Sequence, residues 1–275
     1  MALSPPASAG LKTALALGAL LLAQSLAAAP RVITLAPSLA EIMVELDSAD
    51  LVVGVLDSGV RPSVLLDRPS VGRHAQLELE SLLSLKPDLV LLWPDSISRS
   101  QREQLEGLGI PLYVAEPHDL DQLAGQFREI AVQLGRAEAG ERLSARFTQG
   151  LADLRQRYAR REPVTVFYQV WHEPLFTLGG QQIVSDALRV CGARNVFADL
   201  SLPAPQVSVE AVLARDPQVI LGGSDAQLEP WQQWSTLQAV RKRQLWEVPD
   251  KGLERPSFQM LGALEKLCAV LHEAR

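Results

Sequence analysis

From residue 137 to residue 161, apolar side chains recur at Leu143, Phe147, Leu151, Leu154 and Tyr158, in steps of four, four, three and four. That spacing gathers them on one helical face and leaves Arg, Glu, Asp and Gln on the other. At 1.5 Å per residue the segment predicts a rod of about 36 Å, and Pro163 stops it. Gly140 and Gly150 weaken the helix, each by about 1 kcal/mol relative to Ala. On both sides the pattern changes. Upstream, strand signals at 32–35, 51–55, 88–93 and 112–114 alternate with helix signals that start at Ser38 and recur at 80–85, 99–108 and 119–134. Ser38 is followed three residues later by Glu41, the spacing of a capping box, and residues 57–70, with two prolines and a glycine, read as loop. Downstream, strands at 164–170, 219–221 and 245–248 alternate with helices at 181–190, 209–215 and 257–274. Strand–helix alternation on both sides of one long helix predicts an α/β chain: two Rossmann-like lobes with mainly parallel sheets, joined by a backbone helix.

The two blocks are related. Residues 79–91, LESLLSLKPDLVL, align without gaps on residues 209–221, VEAVLARDPQVIL, at a constant offset of 130. Each unit opens a short helix with a glutamate, Glu80 or Glu210, at the positive end of the helix dipole. It then turns at a proline into a buried strand. Two carboxylates in matching places, one per lobe, suit a partner that grips both lobes at once. The repeat makes residues 137–161 a divider between related halves, with its apolar stripe packed along both, and one continuous helix predicts small lobe motions rather than wide closure.

Composition refines the picture at the termini. Lys12 precedes an apolar Ala/Leu run that ends in Ala27-Ala28-Ala29, the pattern of a cleaved secretory signal peptide over residues 1–29, which implies export. The expected division is then a signal peptide at 1–29, an N-terminal lobe at 30–136, the linking helix at 137–161 and a C-terminal lobe at 162–275. The whole chain is 47% apolar and acidic, with a formal net charge of −6. That disfavours nucleic acid, which requires clustered Lys and Arg. The two cysteines, Cys191 and Cys268, sit in an exported chain and pair as a disulfide. Closing a loop of 77 residues contributes about 4 kcal/mol in the chain-entropy account.

Catalytic signals are missing. The four histidines, His74, His118, His172 and His272, have no metal-ligand spacing. No Gly-x-Ser-x-Gly elbow occurs, and the first strand–helix turn has no glycine fingerprint for a nucleotide. The reading is a non-enzyme with neither a metal nor a cofactor of its own. Aromatic residues are few, and Trp93 closes a strand at the edge where open α/β sheets bind ligands. Trp171, His172 and Phe176 follow the first strand of the second half in the same sense, whereas Trp231, Trp234 and Trp246 read as packing. Asp250, Glu254 and Arg255 lie in a glycine-containing loop after a strand, at the same rim.

With the signal peptide, the repeated Leu-Glu-Ser-Leu-Leu-Ser-Leu-Lys-Pro-Asp-Leu-Val unit and the linking helix, the chain resembles the periplasmic binding proteins of ABC importers for iron complexes and vitamin B12. The resemblance covers the whole region after the signal peptide and is strongest to the cobalamin-binding branch, including Val190-Cys191-Gly192 and Leu267-Cys268 at the positions of that branch's disulfide. It implies the class III binding-protein fold, a monomer, cobalamin as transported ligand and an ABC permease with its ATPase as partner. By position it implies that Glu80 and Glu210 dock on permease arginines, and that Ser58, His74, Trp93, Trp171, Phe176, Asp250 and Arg255 fall at ligand-contacting places. Three aromatics of that branch are replaced here, by Ser58, His74 and Ala204, and His74 introduces a residue able to ligate cobalt or haem iron. The alternatives are a haem or ferric-siderophore receptor of the same fold and, from another class, an exported α/β enzyme or zinc-binding protein.

Overall fold

The computed structural model describes Met1 and residues 29–57, 61–74 and 76–274. The expected signal segment and Ser58 therefore lie outside the described residues, apart from Met1 and Ala29. The N-terminal half contains β1 (Val32–Thr34), α1 (Pro37–Glu45), β2 (Val52–Asp57), β3 (Ser70–Arg73), β4 (Gln76–Leu77), α2 (Leu79–Ser84), β5 (Leu89–Leu92), α3 (Arg99–Gly107), β6 (Leu112–Val114) and α4 (Leu120–Gln133). Its strands form one sheet in the order β4-β3-β2-β1-β5-β6, parallel except for the β3–β4 pair. After α5 (Ala137–Arg157) come β7 (Val164–His172), β8 (Leu175–Thr177), α6 (Ile183–Val190), β9 (Ala193–Asn195), α7 (Val209–Arg215), β10 (Val219–Gly222), α8 (Asp225–Leu228), α9 (Gln238–Arg241), β11 (Leu245–Glu247) and α10 (Met260–His272). In this half β11, β10, β7 and β9 are parallel neighbours, and the far end of β7 turns back on β8 as an antiparallel ribbon.

The central strands are continuous apolar runs because helices cover both their faces. All four residues of β5 and all four of β10 are buried. These strands are also the two copies of the sequence repeat, and both run at the 130-residue offset. The match extends to the backbone: Lys86 (φ 45°) and Asp216 (φ 41°) both take the left-handed conformation just before the prolines that lead into β5 and β10. Neither is glycine; Asp216 is of a type that tolerates this region, whereas at Lys86 the turn imposes it.

The long helix behaves as its stripe requires. Leu143, Phe147, Leu151 and Leu154 are buried, and α5 packs on α4 from the first half and on α6 and α10 from the second. Its two glycines mark the contacts. A Cβ on Gly140 would lie 2.5 Å from the Ala131 side chain of α4, and one on Gly150 would lie 2.5 Å from Leu261 of α10. Their helical cost is thus offset by close approach of the neighbouring helices. One apolar core consequently runs from β1 and α1 through α4 and α5 to α6 and α10, with smaller clusters on the other face of each sheet.

The helix ends at Arg157, four residues earlier than its pattern suggests. Beyond it, Tyr158 meets the His272 ring edge-on at 5.6 Å, and Arg160 donates to the carbonyls of Leu271 and His272 at the end of α10. These residues leave the helix to close another helix's C-terminus. The disulfide between Cys191 and Cys268 is present and ties the end of α6 to α10. The expected loop at 57–70 holds a short 3-10 turn and delivers the chain into β3, and the β3–β4 hairpin was invisible in the pattern because its strands are four and two residues long. Gly72 (φ 117°) permits that hairpin, since a Cβ there would come within 2.3 Å of the Gln76 carbonyl oxygen.

Candidate functional site

A concavity opens between the two halves at the carboxyl ends of their parallel strands, where sheets of this kind place ligands. Its volume is about 400 Å³. From the first half it takes Leu35 and Ala36 after β1, Pro37 and Ser38 of α1, Leu56 of β2, His74, Trp93 and Ser96. From the second it takes Tyr168 and Val170 of β7, Leu178, the Gln182–Val184 start of α6, and Glu254, Arg255 and Pro256. Most of this wall is apolar, with a few polar groups set into it, a composition suited to a bulky ligand with flat apolar faces and a polar periphery.

Local structure fixes each side chain. Trp93 directly follows β5, is half-buried, and donates its backbone N–H to Ser96 Oγ at 3.2 Å. Tyr168 is buried, and its hydroxyl donates to Glu254 Oε1 at 3.1 Å. Burial, reinforced by the Glu254 carboxylate, pushes the phenol well above its usual range. His74 lies exposed in the turn between β3 and β4. Arg255 sits at the cleft base with its Nε 3.0 Å from Glu41 Oε1, an ion pair whose carboxylate is buried.

Of the positions expected at the ligand, His74, Trp93 and Arg255 come together in this cleft. Trp171, Phe176 and Asp250 are not in its lining. Trp171 is half exposed on the β7–β8 ribbon and donates its indole N–H to the Glu173 carbonyl, and Phe176 pairs with it in register on β8. The β7–β8 register shifts between Gln169 and Trp171, and of the consecutive residues Val170 and Trp171 only Val170 reaches the cleft. Asp250 is engaged in its own loop, accepting from Gly252 N–H at 2.8 Å and meeting Lys266 Nζ at 2.6 Å. Lys266 holds its carboxyl below the usual range, aided by the Gly252 amide. Trp231 is buried and Trp246 packs on the core, as expected for packing residues.

Sequence reasoning missed Tyr168, although its place near the carboxyl end of a parallel strand is the same signal that singled out Trp93. The capping box at Ser38 and Glu41 does not form. Pro37 is the first helical residue, the cap is Ala36 without a side-chain bond, and Glu41 instead reaches across to the C-terminal half. Glu80 and Glu210 are both exposed in the first turns of α2 and α7, on matching elements of the two sheets. The Glu210 backbone amide, with the Ser208 hydroxyl, holds the Glu210 carboxyl below its usual range. Among the described residues no group of three His, Cys, Asp or Glu side chains could hold a metal ion, and no helix is long and apolar enough to cross a membrane.

Residues 32–251 match the family described as periplasmic binding protein. The chain belongs to this family. Among periplasmic binding proteins it is 34% identical over 250 residues to the vitamin B12-binding protein of Vibrio cholerae, covering 90% of this chain and 91% of the relative. It is 32% identical over 246 residues to the vitamin B12-binding protein of Yersinia pestis, covering 88% and 86% respectively. Its fold superposes on the crystal structure of the V. cholerae periplasmic vitamin B12 binding protein BtuF with a TM-score of 0.78 at 33% identity, covering 88% of this chain and 96% of that one. It also superposes on the periplasmic haem-binding protein BhuT in complex with two haems, with a TM-score of 0.78 at 25% identity, covering 89% and 98%. Two α/β halves joined by one long helix give this periplasmic binding protein the class III architecture.

Proposed function

We propose that the protein is a periplasmic solute receptor that captures cobalamin in the cleft between its halves and delivers it to an ABC permease driven by an ATPase. The observation that carries this reading is the cleft itself. It is an apolar opening with Trp93 and Tyr168 in its walls and Arg255 at its base, at the carboxyl ends of both sheets, in a chain whose relatives named above bind vitamin B12. A corrin offers flat apolar faces for Trp93 and the aliphatic wall, and a rim of amide carbonyls that the Arg255 guanidinium can meet with directed hydrogen bonds. The protein acts by binding and release rather than by turnover, as a monomer reaching the periplasm through its N-terminal signal. Glu80 and Glu210 stand on matching helices and are proposed to engage permease arginines. Small lobe motion fits the bracing of α5 by α4, α6 and α10.

Titration of the purified protein with cyanocobalamin, haemin and a ferric siderophore by calorimetry tests the ligand. Cyanocobalamin is expected to give saturable heat with the tightest affinity, and absence of heat at micromolar protein overturns the assignment. A second reading, haem, is favoured by one observation: His74 projects from the β3–β4 turn into the cleft lining, where it offers an imidazole to a metal centre. If His74→Ala leaves both affinity and visible spectrum of each ligand unchanged, ligation by this residue is refuted.

A further inference from the structure

The cleft base is held by a pair of glutamates that the ligand reading leaves unused. Glu41 and Glu45 stand one turn apart on α1 and both reach the segment 255–259 that precedes α10 in the other half. Glu41 Oε2 accepts from Ser257 Oγ at 2.7 Å, and its Oε1 lies 3.0 Å from Arg255 Nε. Glu45 accepts from the backbone N–H groups of Phe258 at 2.9 Å and Gln259 at 3.2 Å, supplying partners to the start of α10, whose own cap has no side-chain bond. Arg146 of α5 lies over the Phe258 ring at 4.8 Å, so the dividing helix clamps the same segment. Glu41 is 3% exposed and Ser257 fully buried, which makes this a desolvated contact and not a surface ion pair.

The contact and the cleft share residues. Pro37 and Ser38 at the start of α1 line the cleft, as do Arg255 and Pro256 at the start of the clasped segment. Arg255 Nε is buried without a hydrogen-bond partner and is held by charge alone, 3.0 Å from Glu41 Oε1. A long, rotamer-rich side chain in a cleft loses entropy when it binds; one already held by an ion pair at its inner nitrogen loses less. We infer that Glu41 is the positioning residue that aims Arg255 into the cleft, and that Glu41 and Glu45 together clasp the two halves beneath the ligand. The role rests on the reading of Arg255 as a ligand contact, and the test separates the two.

Cyanocobalamin affinity is measured by calorimetry for the full mature chain carrying Arg255→Ala, Glu41→Gln, and both. Removing Arg255 should weaken binding about tenfold or more. Glu41→Gln, which keeps the shape and loses the charge, should weaken it by a comparable factor, with no further loss when added to Arg255→Ala. Additive losses in the double variant, or wild-type affinity for Glu41→Gln beside a weakened Arg255→Ala, overturn the positioning role and leave the ligand site standing. Wild-type affinity for Arg255→Ala overturns the ligand-contact assignment and the inference with it. Ser257→Ala supplies a second arm if Glu41→Gln does not fold. It frees one Glu41 oxygen without changing charge and should cost about threefold in the wild-type background and nothing beside Arg255→Ala; equal affinity in the wild-type background overturns the role.

Discussion

Glu80 and Glu210 differ in every physical respect from Glu41 and Glu45, although all four are helix glutamates in one acidic chain. The first pair stands exposed on matching elements of the two halves, forms no ion pair among the described residues, and is proposed to face a partner. The second lies on a single helix, at the seam, with its carboxylates spent on groups from the opposite half. An exposed carboxylate keeps its hydration and is available to a separate protein. A buried one must be satisfied within the fold, and its partners then become fixed relative to each other.

The largest expected effect tests the exposed pair. Glu80→Lys together with Glu210→Lys should abolish cellular uptake of cyanocobalamin while the purified protein binds it as before; preserved uptake removes the docking role. Next in size is Glu41→Ala. It strands Arg255 and the Ser257 hydroxyl, and because Arg255 is about a quarter exposed the cost should fall at about 2–4 kcal/mol in urea unfolding. Glu210→Ala on the surface should stay within about 0.5 kcal/mol. Equal losses at the two sites would erase the contrast between them.

A third effect is pH dependence. Burial is the main cause that pushes Glu45 up to about 7, opposed by the Phe258 amide and supported by the neighbouring Glu41. The folded protein therefore holds this proton more tightly than the unfolded chain does. The associated stability is fully present below about pH 4.5 and is lost as pH rises through about 7. Urea midpoints measured across that window should fall with rising pH from this group, and Glu45→Gln should flatten that part of the profile; an unchanged slope in the variant refutes it. The smallest effect sharpens the difference between the repeat copies. Ser208 accepts from the Ala211 amide as a cap for α7, whereas α2 has no side-chain cap. Ser208→Ala should cost about 1 kcal/mol, measured as a shift in thermal midpoint without change in ligand affinity.

Much of the architecture was legible because it is written in local periodicity. The stripe from Leu143 to Leu154, the buried runs of β5 and β10 and the 130-residue repeat each follow from spacing alone, since a helix or a covered strand imposes its period on whatever sequence it buries. Short antiparallel pieces such as β3 and β4 carry too few residues for a period. The position of Trp93 in the cleft lining was legible from its place at a strand end, and the proposed docking pair Glu80 and Glu210 rests on its repetition. Trp171 obeyed the same rule and still lies outside the cleft lining, because the chain turns there into the β7–β8 ribbon through an irregular register.

Glu41 marks the boundary between what the chain alone determined and what the tertiary structure decided. Locally, Ser38-x-x-Glu41 spells a helix cap, and nothing within reach along the sequence contradicts that. Packing against α10 brings Ser257 and Arg255, more than 200 residues away, within bonding distance of a buried carboxylate. A desolvated charge takes the strongest partners that the fold places beside it. The sequence by itself determined the longer elements, the duplicated halves, the dividing helix and the disulfide, whose signals are periodic, repeated or compositional. The cleft base, with Arg255 fixed by Glu41 and α10 fastened by Glu45, was decided only when the two halves met.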